Sequence, residues 1–251
     1  MARRRKLRDR AARHDAAYKR AKQENFAARA IYKLEEIDKR FRLIKPRARV
    51  LDLGCWPGSW MQYSSAKTGP EGHVYGVDLR EVELALPGWV ETVVADVHEW
   101  HPDEAVARAG KRFDVVLSDM APQTTGDRNS DQWRSEELLL RALEIATEAL
   151  RPGGHFVGKV FQGGRFPELR ERMRASFQEA KSYQAKNTRS GSSEQYLIGR
   201  GLRVNVAADG RRRVEARMEA RAKAAAEAPG IAARERADAQ DRAPDTGANS
   251  E

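Results

Sequence analysis

The sequence predicts an α/β fold in which helices cover both faces of a mostly parallel β-sheet. Short apolar runs that are typical of buried strands alternate with segments of helical periodicity between residues 26 and 201. Glycine and proline clusters separate them, as at residues 54–58, 68–70 and 151–154. Alternating strands and helices are the pattern of a parallel sheet that is covered on both sides.

The predicted elements follow one another without an internal repeat. Apolar residues at helical spacing between Phe26 and Phe41 predict the first helix. Further helices are predicted from the turn at Gly58 to about Lys67, along the apolar stripe of residues 139–150, and over residues 167–177, where Pro167 suits the first turn. The seven predicted strands are residues 49–53, 73–77, 90–94, 113–117, 155–161, 181–186 and 195–199.

Composition divides the 251 residues into three parts. Residues 1–25 hold 10 Lys and Arg against 3 Asp and Glu, which predicts a basic segment that is either a flexible arm or a frayed helix. Residues 26–201 contain the predicted elements and form one catalytic domain. Residues 202–251 consist mostly of small and charged residues, which bury too little apolar surface to offset their ordering entropy, so we expect a disordered tail with at most transient helix around residues 212–227.

The net charge of +9 is concentrated near the amino terminus. Residues 1–50 hold 18 Lys and Arg against 6 Asp and Glu, whereas residues 51–201 hold 18 against 22. A basic arm on a mildly acidic body favours a polyanionic partner such as nucleic acid, although a solvated tail that aids solubility has the same composition.

The remaining composition excludes several classes of protein. A single cysteine, Cys55, excludes a disulfide framework and a cysteine-rich zinc module. No apolar run reaches the roughly 18 residues of a membrane span, and no apolar segment of a secretory signal follows the basic start. We therefore expect a cytoplasmic protein without a membrane partner.

The turn after the first predicted strand has the features of a cofactor site. It spans Gly54 to Gly58 and lies at the carboxyl edge of the sheet, where open α/β sheets bind ligands. Asp78 ends the second strand 20 residues beyond Gly58, where a carboxylate can accept both hydroxyls of a ribose. The dinucleotide pattern G-x-G-x-x-G is absent, and Trp56 and Pro57 fill the stretch where a pyrophosphate needs free N–H groups. A cofactor with ribose but no pyrophosphate fits better, which indicates S-adenosylmethionine and disfavours an oxidoreductase.

Three charged residues follow or lie within later strands. Asp119 ends the fourth strand, and Lys159 interrupts the apolar fifth strand, where a lysine is costly unless it is paired. Glu194 opens the last strand. If that strand is antiparallel, its start shares the carboxyl edge of the parallel strands, and Asp119, Lys159 and Glu194 converge.

Two weaker signals lie after the third strand. Asp96 is at the same edge and could accept the amino group of an adenine, or could equally cap a local turn. His98 and His101 flank Trp100 without further ligands, which is typical of a surface loop. No metal is expected.

Several collinear motifs resemble the FtsJ/RrmJ family of ribose 2′-O-methyltransferases. The resemblance covers roughly Phe26 to Gly201. Its motifs are residues 28–37 (ARAIYKLEEI), 52–60 (DLGCWPGSW), 118–122 (SDMAP), 159–163 (KVFQG) and 193–196 (SEQY). Two departures occur in the cofactor loop, where Ser59 replaces a second glycine and Cys55-Trp56 replaces smaller residues.

The resemblance implies a fold and a set of site residues. The fold is a Rossmann-like class I methyltransferase with a seven-stranded, mostly parallel sheet and an antiparallel last strand. The implied catalytic tetrad is Lys33, Asp119, Lys159 and Glu194. The implied cofactor contacts are Gly58, Trp60, Asp78, Asp96 and Asp119.

The resulting functional hypothesis is methyl transfer from S-adenosylmethionine to a ribose 2′-hydroxyl of RNA, with a uridine of large-subunit ribosomal RNA as the target that the resemblance implies. Lys159 is the expected base, since an apolar setting and Lys33 as a second cation would both favour its neutral amine. Asp119 would orient it, while Lys33 and Glu194 would position the ribose. We expect a monomer that binds the ribosomal large subunit or its RNA during ribosome biogenesis. The alternatives are a transfer-RNA or cap methyltransferase, and a non-catalytic RNA-binding assembly factor.

Overall fold

A seven-stranded sheet forms the centre of the computed structural model, which describes residues 16–186 and 193–227. Residues Met1–Gly210 belong to one compact unit and Arg211–Glu251 to a second. The strands are β1 (Arg49–Leu53), β2 (His73–Asp78), β3 (Val90–Val94), β4 (Phe113–Ser118), β5 (Leu150–Phe161), β6 (Phe177–Tyr183) and β7 (Glu194–Leu202).

The strand order is β3-β2-β1-β4-β5-β7-β6. Strands β1 to β5 pair in parallel, whereas β7 is antiparallel to both β5 and β6. The predicted fold class, a mostly parallel sheet with an antiparallel last strand, is therefore confirmed. Because β7 is reversed, its first residue, Glu194, lies opposite Phe161 at the carboxyl end of β5.

The described part of the chain contains seven helices. They are α1 (Ala16–Gln23), α2 (Ile31–Phe41), α3 (Ser59–Thr68), α4 (Asp103–Arg108), α5 (Arg128–Ala149), α6 (Phe166–Ser176) and α7 (Val204–Glu227). None of these described helices combines the length and the apolar character that a membrane crossing requires.

The helices form two layers because side chains of a strand alternate between the faces of the sheet. Leu51 and Leu53 of β1 pack into a core that α4, α5, α6 and the start of α7 cover. Val50 faces the opposite core, which α2 and α3 cover. Asp52 has the same parity as Val50, so its carboxylate lies on the side of α2 and α3.

The structure departs from the composition-based boundaries at both ends. Helix α1 begins at Ala16 within the predicted basic segment, and Ala21 is buried against Ile31 and Tyr32. Residues 1–15 lie outside the described residues, and the basic arm remains a prediction for them.

The structure continues beyond the predicted carboxyl-terminal boundary near residue 201. Helix α7 begins at Val204, inside the predicted tail, and Ala207 is fully buried in the main core. At Gly210 a Cβ would lie 2.1 Å from the carbonyl oxygen of Thr147, so the absence of a side chain permits close packing. Small residues therefore let the start of α7 pack against the core, although their composition predicts a disordered tail. Residues 228–251 lie outside the described residues.

Two further differences concern short elements. Helix α4, which follows Pro102, was not predicted. It has only six residues, and an apolar periodicity cannot be recognised over so short a segment. Strand β6 begins at Phe177, where the sequence predicts the end of a helix, because Phe177 is buried against the sheet in the core of the α5 and α6 layer.

Candidate active site

Charged side chains from four separate segments meet at the carboxyl edge of the sheet. Lys33 comes from α2, Asp119 follows β4, Lys159 lies near the end of β5, and Glu194 begins β7. Sequence reasoning predicts this convergence only if the last strand is reversed, and the antiparallel pairing of β7 with β5 provides that condition.

Lys159, which is buried, and Asp119, which is partly exposed, form the first pair. The Lys159 Nζ lies 3.1 Å from Asp119 Oδ1 and also donates to the backbone carbonyl of Asp119. Lys159 is only 8% exposed. Two oxygens of one residue thus hold the Lys159 Nζ. These two contacts fix the orientation of the side-chain nitrogen.

Lys33 and Glu194 form the second buried pair, with 2.6 Å between Nζ and Oε1. Each residue is about 9% exposed. The pairing differs from the sequence-based idea that Lys33 acts as a second cation beside Lys159, because the nearby carboxylate balances the Lys33 charge. A helix position alone could not have shown this partner, which lies 161 residues away in the chain.

Tyr196 connects the two pairs, and sequence reasoning did not select it as a site residue. Its hydroxyl donates to Asp119 Oδ1 at 2.8 Å, and Lys33 Nζ lies 6.0 Å from its ring centroid. Burial, followed by the charges of Asp119 and Glu194, raises the pKa of Tyr196 well above its usual value. One signal was available, because Tyr196 and Glu194 are two residues apart on a strand and therefore share a face.

The cofactor loop between β1 and α3 requires its glycines. Gly54 has a φ of +79°, and a Cβ there would lie 2.5 Å from Met120 Cγ. Gly58 has a φ of +104°, and a Cβ would lie 2.6 Å from Leu84 Cδ1. Both glycines thus combine a left-handed backbone with a close approach, which other residues adopt only at a cost.

The acidic side chains predicted around this loop have different local partners. Asp78 accepts hydrogen bonds from the backbone N–H of Trp56 at 3.0 Å and of Arg80 at 2.9 Å, so it joins the end of β2 to the loop. Asp96 is exposed and accepts from the backbone N–H of His98 at 2.9 Å, which is the turn-capping arrangement that the sequence left open. Cofactor contacts remain a prediction for both residues.

The predicted cofactor contact Trp60 is buried and only 2% exposed. Its indole N–H donates to the carbonyl of Ala30 at 2.8 Å, and its ring lies 6.0 Å from that of Tyr196. Trp60 therefore ties α3 to the start of α2, the helix that carries Lys33. Its predicted cofactor contact remains a prediction.

Asp52 is the most unusual group at this edge. It is completely buried, and neither carboxylate oxygen has a hydrogen-bond partner among the described residues. Burial, followed by the charges of Asp119 and Asp78, raises the pKa of Asp52 well above its usual value. Of the three carboxyl groups at the ends of the adjacent strands β2, β1 and β4, only Asp52 lacks a local partner in the described chain, since Asp78 accepts from backbone N–H groups and Asp119 pairs with Lys159. Three carboxyl groups so placed disfavour a pyrophosphate.

A metal is not suggested by the side-chain geometry. Within residues 16–186 and 193–227, no group of three or more His, Cys, Asp or Glu side chains is arranged to hold a metal ion. Cys55 is buried, and burial raises the pKa of its thiol above the usual value, as expected for a packing residue rather than a ligand.

The architecture is that of Rossmann-like methyltransferases. A solved structure from Plasmodium falciparum, described as a ribosomal RNA methyltransferase, matches with a TM-score of 0.61 at 23% identity, over 70% of this chain and 98% of that one. The model of the FtsJ-like methyltransferase family matches residues 26–202. The chain belongs to this family, which confirms the resemblance found in the motifs.

Curated relatives match over most of their own length. A protein from Syntrophobacter fumaroxidans is 46% identical over 189 residues, covering 75% of this chain and 96% of the relative. One from Bdellovibrio bacteriovorus is 44% identical over 187 residues, covering 74% and 95%. Both are named ribosomal RNA large subunit methyltransferase E. The chain is therefore similar to them across the whole catalytic unit.

Proposed function

We propose that this protein transfers a methyl group from S-adenosylmethionine to the 2′-hydroxyl of a uridine ribose in large-subunit ribosomal RNA. The family and the names of the relatives support a ribosomal RNA methyltransferase. The observation that carries the proposal is the cluster of buried charges at one sheet edge, in which Lys159 is held by Asp119 and Lys33 by Glu194.

The residues at the carboxyl edge fit S-adenosylmethionine as the cofactor. When bound, this cofactor supplies an electrophilic methyl group on a positively charged sulfur. Asp78 and Asp119 give the cleft a negative character that favours its sulfonium and ammonium groups. Asp78 is the candidate for the ribose hydroxyls, and the tight turn at Gly58 lets the backbone approach the ligand.

An open groove beside the site supports RNA as the substrate. The groove has a volume of about 580 Å³ and lies against α2, the helix that carries Lys33. Its lining residues are Arg20, Tyr32, Glu35, Glu36, Lys39, Arg40, Tyr183 and Lys186. The basic residues outnumber the acidic ones, and Glu36 is bonded to Tyr183 and to the backbone of Lys186, so the groove attracts phosphate.

Lys159 is the group that would accept the proton of the attacking hydroxyl. A neutral amine has two N–H groups and one lone pair. The two contacts with Asp119, one to Oδ1 and one to the backbone carbonyl, would engage both N–H groups and leave the lone pair for the hydroxyl proton. Asp119 would thereby orient the base.

The second pair would hold the ribose in line with the transferred methyl group. Lys33 can donate to an oxygen of the nucleotide, while Glu194 balances its charge and keeps it in place. The Tyr196 hydroxyl donates to Asp119 Oδ1, the same oxygen that faces Lys159, and so helps to hold the orienting residue in place. Alignment of this kind contributes a large part of the acceleration in reactions between two bound groups.

A non-catalytic RNA-binding factor explains this arrangement poorly. Burying Lys33, Lys159 and Glu194 and leaving Asp52 without a partner in the described chain costs stability, since buried ion pairs seldom recover their desolvation penalty. Binding to RNA requires exposed cations, not a buried lysine whose ammonium faces a carboxylate. A catalytic role explains better why the protein retains these destabilising buried charges.

The proposal is tested by methyl transfer to defined RNA. The protein is incubated with methyl-tritiated S-adenosylmethionine and either protein-free large-subunit ribosomal RNA, assembled large subunits or transfer RNA. We expect incorporation with large-subunit RNA or subunits. The product should contain an alkali-resistant dinucleotide, because a methylated 2′-oxygen cannot attack the adjacent phosphate.

A matched control replaces the mapped uridine by 2′-deoxyuridine, which removes only the acceptor oxygen. This change should abolish incorporation. Incorporation that survives the deoxy replacement would overturn the ribose assignment, and incorporation only into transfer RNA would favour the alternative substrate. No incorporation into any RNA would favour the assembly factor. With ribosomal RNA as substrate, we expect the protein to act as a monomer in the cytoplasm during ribosome biogenesis.

A further inference from the structure

An exposed aromatic surface lies on the first turns of α5. The Trp133 side chain is 57% exposed, which makes it the most exposed tryptophan of the chain. Its indole contributes to an open hollow of about 430 Å³ that Asn129, Ser130 and Arg134 complete. A large aromatic side chain among polar neighbours points to a partner that offers both a flat apolar face and hydrogen-bonding groups.

Charged side chains of both signs surround this indole. Arg128 and Arg134 are exposed, and neither forms an ion pair with any described residue. The two nearby carboxylates serve the backbone instead. Asp127 accepts from the N–H of Ser130 at 3.0 Å, and Asp131 accepts from the N–H of Thr125 at 2.8 Å.

Two hydrogen bonds tie this part of α5 to the catalytic edge. The Gln132 side chain donates to the carbonyl of Gln162 at 2.7 Å, and the backbone N–H of Phe161 donates to Ser135 Oγ at 2.9 Å. Phe161 lies two residues beyond Lys159 and opposite Glu194. Trp133 is therefore mounted on the helix that is anchored directly to the strand end carrying the active site.

We propose that Arg128, Trp133 and Arg134, here called the α5 platform, bind the RNA substrate next to the methylated nucleotide. An unpaired base stacks on the Trp133 indole, and the arginines neutralise flanking phosphates. Stacking on an aromatic side chain combined with nearby cations is the usual way in which proteins hold single-stranded nucleic acid. This inference rests on the proposed function, because it assumes that RNA is the substrate at this edge.

The platform is tested with Trp133→Ala and Trp133→Phe in the full chain. For methylation of protein-free large-subunit ribosomal RNA, Trp133→Ala should raise KM about tenfold. The kcat and the affinity for S-adenosylmethionine should stay within about twofold of the wild type. Trp133→Phe keeps a stacking ring and should recover most of the loss, which a merely structural effect on α5 would not predict.

The charge component is tested with Arg134→Gln, whose matched control is Lys111→Gln just before β4, at the opposite edge of the sheet. Arg134→Gln should lower the slope of log affinity against log salt by about one, whereas Lys111→Gln should leave it unchanged. Binding of a fluorescein-labelled fragment of the same RNA is measured alongside methyl transfer, so that the platform is tested even if no methyl is transferred.

The outcomes separate this inference from the function on which it rests. A wild-type protein that binds the labelled RNA through Trp133 but methylates no RNA would contradict the proposed function and support the platform. An active wild type whose RNA affinity and KM are unchanged in Trp133→Ala would overturn the platform alone. A KM effect seen with assembled large subunits and absent with protein-free RNA would also overturn it, since a ribosomal protein would then be the partner.

Discussion

The two edges of the same sheet use charged residues in opposite ways. At the carboxyl edge, the Lys33–Glu194 pair is about 9% exposed and the Lys159–Asp119 pair is nearly as inaccessible. At the amino edge, Arg47 and Glu71 lie just before β1 and β2 and form an ion pair of 2.7 Å with about 70% of each side chain exposed. The strands are shared, so the difference reflects what each edge does.

Exposed pairs contribute little to stability and are cheap to keep, whereas buried pairs are costly to assemble and costly to break singly. The amino edge can therefore lose a charge with little consequence. The buried charges at the carboxyl edge do not serve stability. Such charges are expected at a site where binding and catalysis use them. Substitutions at matched positions of the two edges test this difference.

The largest effect is expected from removing the buried lysine at the carboxyl edge. Lys159→Ala should reduce methyl transfer by about 100-fold or more, the low end of what a positioned base contributes. Folding and cofactor affinity should be preserved, because Asp119 keeps its hydrogen bond from the Tyr196 hydroxyl when the lysine is removed. Single-turnover kinetics and calorimetry check the two parts.

The matched control is Arg151→Ala, which removes a half-exposed cation at the amino end of β5. It should leave turnover within about twofold of the wild type. Equal losses of turnover in the two variants would mean that the edges are not functionally distinct.

The next effect concerns cofactor affinity. Asp78→Ala should weaken binding of S-adenosylmethionine by about 2 kcal/mol, roughly 30-fold, through lost hydrogen bonds to two ribose hydroxyls. Asp78→Asn keeps one acceptor oxygen and should lose less. Isothermal titration calorimetry is the measurement, with Glu71→Ala at the amino edge as the control for loss of a carboxylate. An unchanged dissociation constant in Asp78→Ala would remove this residue from the cofactor site.

The smallest effect is one of stability and arises in the amino-terminal half of β5. Burial, then the charges of Arg200, Arg151 and Lys45, lower the pKa of His155 to about 4, while Asp114 opposes the shift. Between pH 6.5 and 4 the unfolded chain therefore binds more protons at this position than the folded protein. Stability from His155 is complete above about pH 6.5 and is lost as the pH falls toward 4.

This contribution should amount to about 2 kcal/mol, less than the full linkage value because the ring is partly exposed. His155→Asn should flatten the loss of unfolding free energy between pH 6.5 and 4 in urea titrations, with little effect on turnover at neutral pH. A pH dependence equal to that of the wild type would show that His155 titrates alike in both states.

The sequence predicts the strand framework well because strands buried on both faces form continuous apolar runs. Residues 49–53 match β1 at both ends, and residues 113–117 match β4 to within one residue. The site residues Asp119, Lys159 and Glu194 were also accessible to reasoning, since they interrupt or terminate such runs at one edge.

Long-range pairing and small-residue packing were not predictable in the same way. Nothing local to Lys33 identifies Glu194 as its partner, and Tyr196 resembles any core aromatic until its hydroxyl meets Asp119. The extension of the compact unit to Gly210 depends on Ala207 and on the missing side chain of Gly210, and composition assigns both to a tail. These features depend on tertiary contacts, not on local periodicity.

The central claim is that Lys159 accepts the proton of a ribose hydroxyl, and Lys159→Arg tests it most directly. Arginine keeps the positive charge and can still pair with Asp119, but its guanidinium does not release a proton at accessible pH. We predict that single-turnover methyl transfer in Lys159→Arg falls at least as far as in Lys159→Ala, while S-adenosylmethionine still binds. Near wild-type transfer in Lys159→Arg would show that position 159 supplies only charge, and would contradict the assignment of the base.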